Sequence, residues 1–397
     1  MTEHIADSNY QQLQHFISHS EWSAEAVMQE TARKTAGSLH GLSGSIGLIL
    51  DESGNEKSGR QSVGVARQYI GNVGKVCNAQ VGVFAALVRR NRVALCAGKL
   101  YLPREWTNDP RRMRAAGVPE TEQKYRSQPE LAAELIEQLP EAVSFDWIGG
   151  DTIYGNSPHL RERLRAAGKA FVLDVGEQLK VYLNDPEPFV PLRASNGRGR
   201  NPVRPVSHQS AKGLRELITE IEPERWQAIE YRSGSKERLE REAVLLPVFI
   251  RDGKTEKVES VRLIISRALD GKEIKYAVCF EPSAEVEIKE ALFRQMQRYW
   301  VERAFQEIKE QLGMAQYQVR SWRAWHHHIA LTMMALHFIL ETQIAEKEVL
   351  PLLSCGDVKL MLARILKNKL DEPEGVSKAI ELRHKQRHSD ITRRLRI

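Results

Sequence analysis

Apolar residues along this chain follow two rhythms, and the points where one gives way to the other divide it into elements. Over 8–35 they recur at helical spacing, with Leu13, Phe16, Ile17 and Trp22 as anchors, which predicts short amphipathic helices. Ser45 to Leu50 is a strand-like apolar run ending on the acidic pair Asp51-Glu52, and the SGNEKSG that follows reads as its terminating turn. Two strands rich in Val, Ala and Leu are expected near 79–88 and 92–97, then a helix over roughly 120–138. Phe145 to Ile148 is another short strand, running into Gly149-Gly150-Asp151. A helix over 157–167, with Leu160 and Leu164 on one face, and a strand from Ala170 to Val175 close the series. That order predicts an α/β fold, a mixed sheet with helices packed on its faces.

The rhythm breaks at Asp185. Residues 185–210 carry several prolines and Arg193, Arg198, Arg200 and Arg204, in a stretch reading RASNGRGRNPVRP. Such a segment is a solvated linker or a basic loop that follows a phosphate backbone. Ala243 to Ile250, Ser260 to Ala268 and Lys275 to Phe280 then alternate like strands, which suggests a β-rich insertion. A long helix is expected from near Ala284 past Gly313, and a second around 320–342 with Ile329, Met333, Leu336 and Leu340 on its apolar face. The expected organisation is a helical segment (1–40), an α/β core in two parts (41–184 and 284–345), the insertion (185–283) and a helical basic tail (346–397).

Composition narrows the classes. A chain of 397 residues with 42% hydrophobic and 28% charged residues suits a well-packed soluble fold. A net charge of +6 and a pI of about 9.0 permit a polyanionic partner without proving one. Cys77, Cys96, Cys279 and Cys355 form no CxxC pair, which excludes a zinc knuckle or disulfide framework and suits a reducing cytoplasm. The opening MTEHIADSNY is polar, unlike a signal peptide. Ile329 to Leu340 is too short to span a bilayer and contains His337, so a core helix and no membrane association are expected.

The candidate chemistry is acidic. Asp51 and Asp151 each follow a short apolar strand (GLILDESG and DWIGGDTIYG), where the sheet holds a carboxylate firmly enough to aim it into a cleft. Acids after strands more commonly cap helices or close turns. If the two strands are neighbours, both carboxylates converge, and oxygen-only ligation suits Mg²⁺ or Mn²⁺. A third candidate lies in RYWVERAFQEIKEQLG, where Arg298, Glu302, Phe305 and Lys309 share one helical face. Periodicity alone favours an ordinary Arg298–Glu302 ion pair there, worth about 0.3–0.5 kcal/mol.

With these residues in view, the sequence resembles the DDE transposases of bacterial insertion sequences, whose core is ribonuclease H-like. It resembles more narrowly the branch with a Y-R-E-K signature and a β-rich insertion in the core. The carrying stretches are LDESGNEKSGRQSVGVARQYIGNVGKVCNAQVGV, KLYLPREWTND, GGDTIYGNSPHLRERLRAAGKAFVLDV and YWVERAFQEIKEQLGMAQYQVRSW, spread over residues 10–340. The resemblance implies Asp51, Asp151 and Glu302 as catalytic ligands of two Mg²⁺ or Mn²⁺ ions, with Arg298 and Lys309 on DNA phosphates. Arg67, Lys75 and Lys99, and Arg198 and Arg200 of the basic loop, are further DNA-contact candidates. Two departures stand out: the signature Tyr is Gln295 here, and the first motif reads Asp51-Glu52-Ser53 where relatives more often have Asp-Asp-Thr.

The activity implied is cleavage at transposon ends followed by attack of the freed 3′-OH on target DNA. The implied partner is double-stranded DNA, with self-association on it and no ATP site; no GxxxxGK[ST] is present. Rival readings are a ribonuclease H-like nuclease that cuts without joining, and a relic that only binds DNA. An Asp-dependent phosphatase would leave the 298–309 signature unexplained. GNVGK (71–75) has too few glycines for a nucleotide fingerprint. His326, His327 and His328 are consecutive on a helix and cannot share a metal, and Trp322 and Trp325 read as core.

Overall fold

The structure, a computed structural model, describes residues 9–71, 73–191, 203–233, 238–283, 285–316, 318–366 and 373–395. Ten strands among these form one sheet: β1 (Gly47–Glu56), β2 (Ala66–Ile70), β3 (Lys75–Arg89), β4 (Arg92–Leu100), β5 (Trp147–Gly150), β6 (Phe171–Asp174), β7 (Gln227–Ser233), β8 (Arg238–Arg251), β9 (Val258–Ala268) and β10 (Ile274–Phe280). Their order is β2-β3-β1-β5-β6-β10-β9-β8-β7, with β4 also paired to β3. β1, β5 and β6 run parallel and the remaining neighbours antiparallel. The mixed α/β architecture is the one expected.

The longer helices are α1 (Tyr10–Ser18), α2 (Ala24–His40), α3 (Gln128–Gln138), α4 (Pro158–Ala166), α5 (Ile288–Met296), α6 (Arg298–Glu310), α7 (Trp322–Ala345), α8 (Cys355–Ile365) and α9 (Pro373–Leu395); α2, α3, α5, α6 and α7 pack on the sheet, and α1 and α8 pack on α7. α7 is long and apolar enough to cross a membrane, yet it packs on β4 and α2 with Ile329, Met333, Leu336 and Leu340 buried. Leu48, Ile49 and Leu50 of β1 are fully buried. At about 1.5–3 kcal/mol each, their burial outweighs the cost of carrying a carboxylate next to them in the strand.

The structure departs from the sequence expectations in several places. SGNEKSG does not end β1, because residues through Glu56 stay paired to β3, as far as Glu56↔Ala79. β2 has no counterpart in the apolar pattern, because its five residues ARQYI lack a clear alternation. The helix expected over 120–138 begins at Gln128, where Ser127 and Glu130 form a capping box. The long helix expected from 284 past Gly313 is two helices meeting at Gln297, and α6 stops before Gly313, whose φ of +82° suits only glycine. The strands read as an insertion continue the main sheet through β6 and β10, from Ala277↔Asp174 to Phe280↔Phe171.

Candidate active site

The parallel pairing of β1 with β5 ends at Leu50↔Gly150. Beyond it β1 keeps only β3 as a neighbour, so the sheet splits, and Asp51 and Asp151 are the first residues past the split. Carboxylate oxygens of Asp51, Glu52 and Asp151 lie within 4.8 Å of one another. The convergence of Asp51 and Asp151 thus follows from strand adjacency. Glu52 joins them, although the sequence pointed only to its neighbour.

Each acid is held locally. Asp51 Oδ1 accepts from the Glu52 amide at 2.8 Å. Asp151 Oδ1 accepts from the Ile153 amide at 2.9 Å, capping the turn Thr152–Gly155. The common capping role of such an acid is therefore real here, and it aims the side chain rather than competing with the cluster. The hydroxyl of Tyr154, a fully buried residue, donates to Glu52 Oε2 at 3.4 Å.

Burial raises the pKa of Asp51 well above the carboxylate range, and the neighbouring charge of Glu52 adds to it. Burial, then the charge of Asp151, pushes Glu52 up to about 7. Asp151 is raised for the same first reason. Three acids crowded in this way favour a divalent cation or retained protons, because their mutual repulsion must be neutralised. The donor set, all carboxylate oxygen, fits Mg²⁺ or Mn²⁺.

Helix α6 faces this cluster from β1 and β3, with Val301, Ala304, Phe305 and Ile308 buried and Phe305 edge-on to Phe84 at 5.4 Å. Arg298 and Glu302 form the ion pair that their spacing suggests, Nη2 to Oε1 at 3.2 Å. The Glu302 side chain remains 54% exposed and stands outside the group of three, although its charge is felt at Asp151. Lys309 donates from Nζ to the Gly54 carbonyl at 2.8 Å, pinning α6 to β1.

The other candidates scatter. Arg67 and Lys75 are exposed on the β2–β3 hairpin, past the end of β1. Lys99 is tied to Glu134 at 3.0 Å. Arg198 and Arg200 lie outside the described residues. GNVGK falls at the β2–β3 turn with no helix after it. His327 bridges the carbonyls of Ile17 and Trp22, and Trp325 is buried beside Phe84, both in packing roles. All four cysteines are free.

A sequence model of DDE superfamily endonucleases matches residues 1–238. The chain belongs to that family. A probable transposase for insertion sequence element IS701 of Microchaete diplosiphon is 35% identical over 150 residues, a stretch that spans 38% of this chain and 36% of that relative. Among solved structures, the piggyBac transposase synaptic complex with hairpin DNA aligns over 82% of this DDE-family chain and 53% of its own, at 13% identity and a TM-score of 0.40. The NurA nuclease from Sulfolobus solfataricus aligns over 67% and 79%, at 9% identity and a TM-score of 0.29. Asp51 and Asp151, with Glu52 between them, fall inside the stretch that matches the family; α6 lies beyond it.

Proposed function

We propose that this chain is a cut-and-paste insertion-sequence transposase with a ribonuclease H-like catalytic core, acting on double-stranded DNA at transposon ends and at a target. The observation that carries the reading is the meeting of Asp51 and Asp151 at the split between β1 and β5. Family membership and the IS701 relative support it. Asp51, Asp151 and Glu302, with Glu52 beside them, are the groups that would hold Mg²⁺ or Mn²⁺, two ions per site. Bound there, the ions would favour deprotonation of the attacking oxygen and offset charge on the departing one.

The side chains do the rest. Arg298, facing the cluster, offsets negative charge on a bound phosphodiester. Lys309, fixed on the Gly54 carbonyl, keeps α6 in register with β1, and Arg67 and Lys75 offer exposed cations to the DNA backbone. Water attacks a phosphodiester at the element's end and releases a 3′-OH; that 3′-OH then attacks a target phosphodiester and displaces a new 3′-OH. One phosphodiester replaces another, so no ATP is consumed. Joining two ends at one target needs two copies of the chain on DNA, and we place the activity in the cytoplasm.

Cleavage of DNA bearing the element's end, in Mg²⁺ or Mn²⁺, tests this with wild type and Asp151→Asn. Metal-dependent nicking and joining that fall at least a thousand-fold in the variant are expected, on the order of what losing a catalytic metal ligand costs. Cutting without joined products would replace the transposase with a nuclease. Equal activity in both proteins would remove Asp151 from the site.

A further inference from the structure

A chain of polar contacts runs from the far half of the sheet to the rim of the acidic cluster. It begins at Ser266 on β9, fully buried, whose hydroxyl donates to Gln295 Oε1 at 2.9 Å. Gln295 on α5 is itself buried and donates from Nε2 to Asp174 Oδ1 at 3.1 Å. The other oxygen of Asp174 faces Arg298 Nε at 3.4 Å, and Arg298 Nη2 meets Glu302 at 3.2 Å. Gln295 is the residue that stands where the resemblance expects Tyr.

Asp174 ends β6, still paired to Ala277 of β10, and the β5–β6 pairing closes at Gly150↔Leu173, so Asp174 and Asp151 each stand one residue past that pairing, at the same level. A carboxylate buried this far is costly unless both oxygens are engaged, and here both are. A guanidinium is planar, so contacts on its Nε edge and at Nη2 fix its plane as well as its position. Arg298 is therefore one cation divided between Asp174 on one side and the carboxylates Glu302, Asp51 and Asp151 on the other.

We propose that Asp174 is a positioning residue: it draws Arg298 toward β6 and so keeps that cation from competing for the carboxylates that take the divalent ion. This rests on the metal-site reading given above. With Asp174 neutralised, Arg298 turns wholly to Glu302 and the cluster, and the ion must displace it. The contact to Gln295 survives in Asp174→Asn, because the amide oxygen still accepts.

Calorimetric titration of the 397-residue chain with Mn²⁺ tests it without DNA. Asp174→Asn is expected to bind Mn²⁺ roughly tenfold more weakly, as outer partners of metal ligands usually do when altered. Gln295→Leu, which frees Asp174 from its other side, is expected to move affinity the same way by less. In an Arg298→Gln background most of that loss is expected to vanish, leaving only the direct influence of the Asp174 charge on Asp151. Unchanged affinity in Asp174→Asn overturns the proposal, and so does a loss that persists undiminished in the Arg298→Gln background, which marks a role that does not run through Arg298. Asp151→Asn in the same titration separates the two readings. Binding that survives there removes the metal site itself, whereas binding lost there but untouched by Asp174→Asn removes only the role of Asp174.

Discussion

Glu52 sits next to Asp51 in sequence and within 4.8 Å of both Asp51 and Asp151 in space, where burial pushes its pKa up to about 7 from 4.5. A carboxyl whose pKa is raised on folding holds a proton that the unfolded chain releases. Its contribution is therefore fully present below the unfolded value and is lost as pH rises through the folded one. Without divalent ions, Glu52→Gln is expected to stabilise the protein by on the order of 2 kcal/mol near pH 8, and by almost nothing near pH 4. Thermal melts in a chelator at the two pH values check this, and a lower melting temperature for the variant near pH 8 would contradict it. Titration with Mn²⁺ should reverse the order, since the carboxylate that destabilises the cation-free protein is one the ion would use.

At the scale of elements, the short turn after Asp151 leaves no room for a side chain at Gly155. A Cβ on Gly155 would stand 1.8 Å from the Asp174 carbonyl oxygen, backbone against backbone, with no flexible side chain to give way. Gly155→Ala is expected to cost about 3 kcal/mol and to displace either the Asp151 turn or the end of β6. Differential scanning calorimetry reads the stability, and a melting temperature within a degree of wild type would show that the turn can shift freely. Legibility in the sequence follows the range of the interactions. β1 and β5 showed themselves because each is a local apolar run ending on an acid, and α6 because Arg298 and Glu302 are four apart. β2, the break at Gln297 and the role of Asp174 did not, since each depends on partners supplied from elsewhere: β3 for β2, and Gln295 and Arg298 for Asp174. Glu52 was visible as half of an acidic pair, but on an alternating strand its neighbour's side chain is expected to point the other way.

At the scale of the whole molecule, β10 covers the edge of β6, so the strands after residue 226 complete the sheet rather than decorate it. A protein with 185–283 replaced by a short linker would expose β6 as an unpaired edge and strip Asp174 of its strand partner Ala277. Light scattering after size exclusion is expected to find it aggregated. A monodisperse deletion that still binds Mn²⁺ would show that the first half closes on its own. The same pairing also sets an order of events during synthesis. Lys309 reaches back 255 residues to Gly54, and Thr35 meets His337 across 302. Contacts of such separation form late and slowly. Most of the chain must leave the ribosome before β6 gains its outer neighbour and α6 arrives opposite the acids. A product released early, from a broken message or a stalled ribosome, carries Asp51 and Asp151 without the helix that faces them, so the chain is assembled with its chemistry left until last.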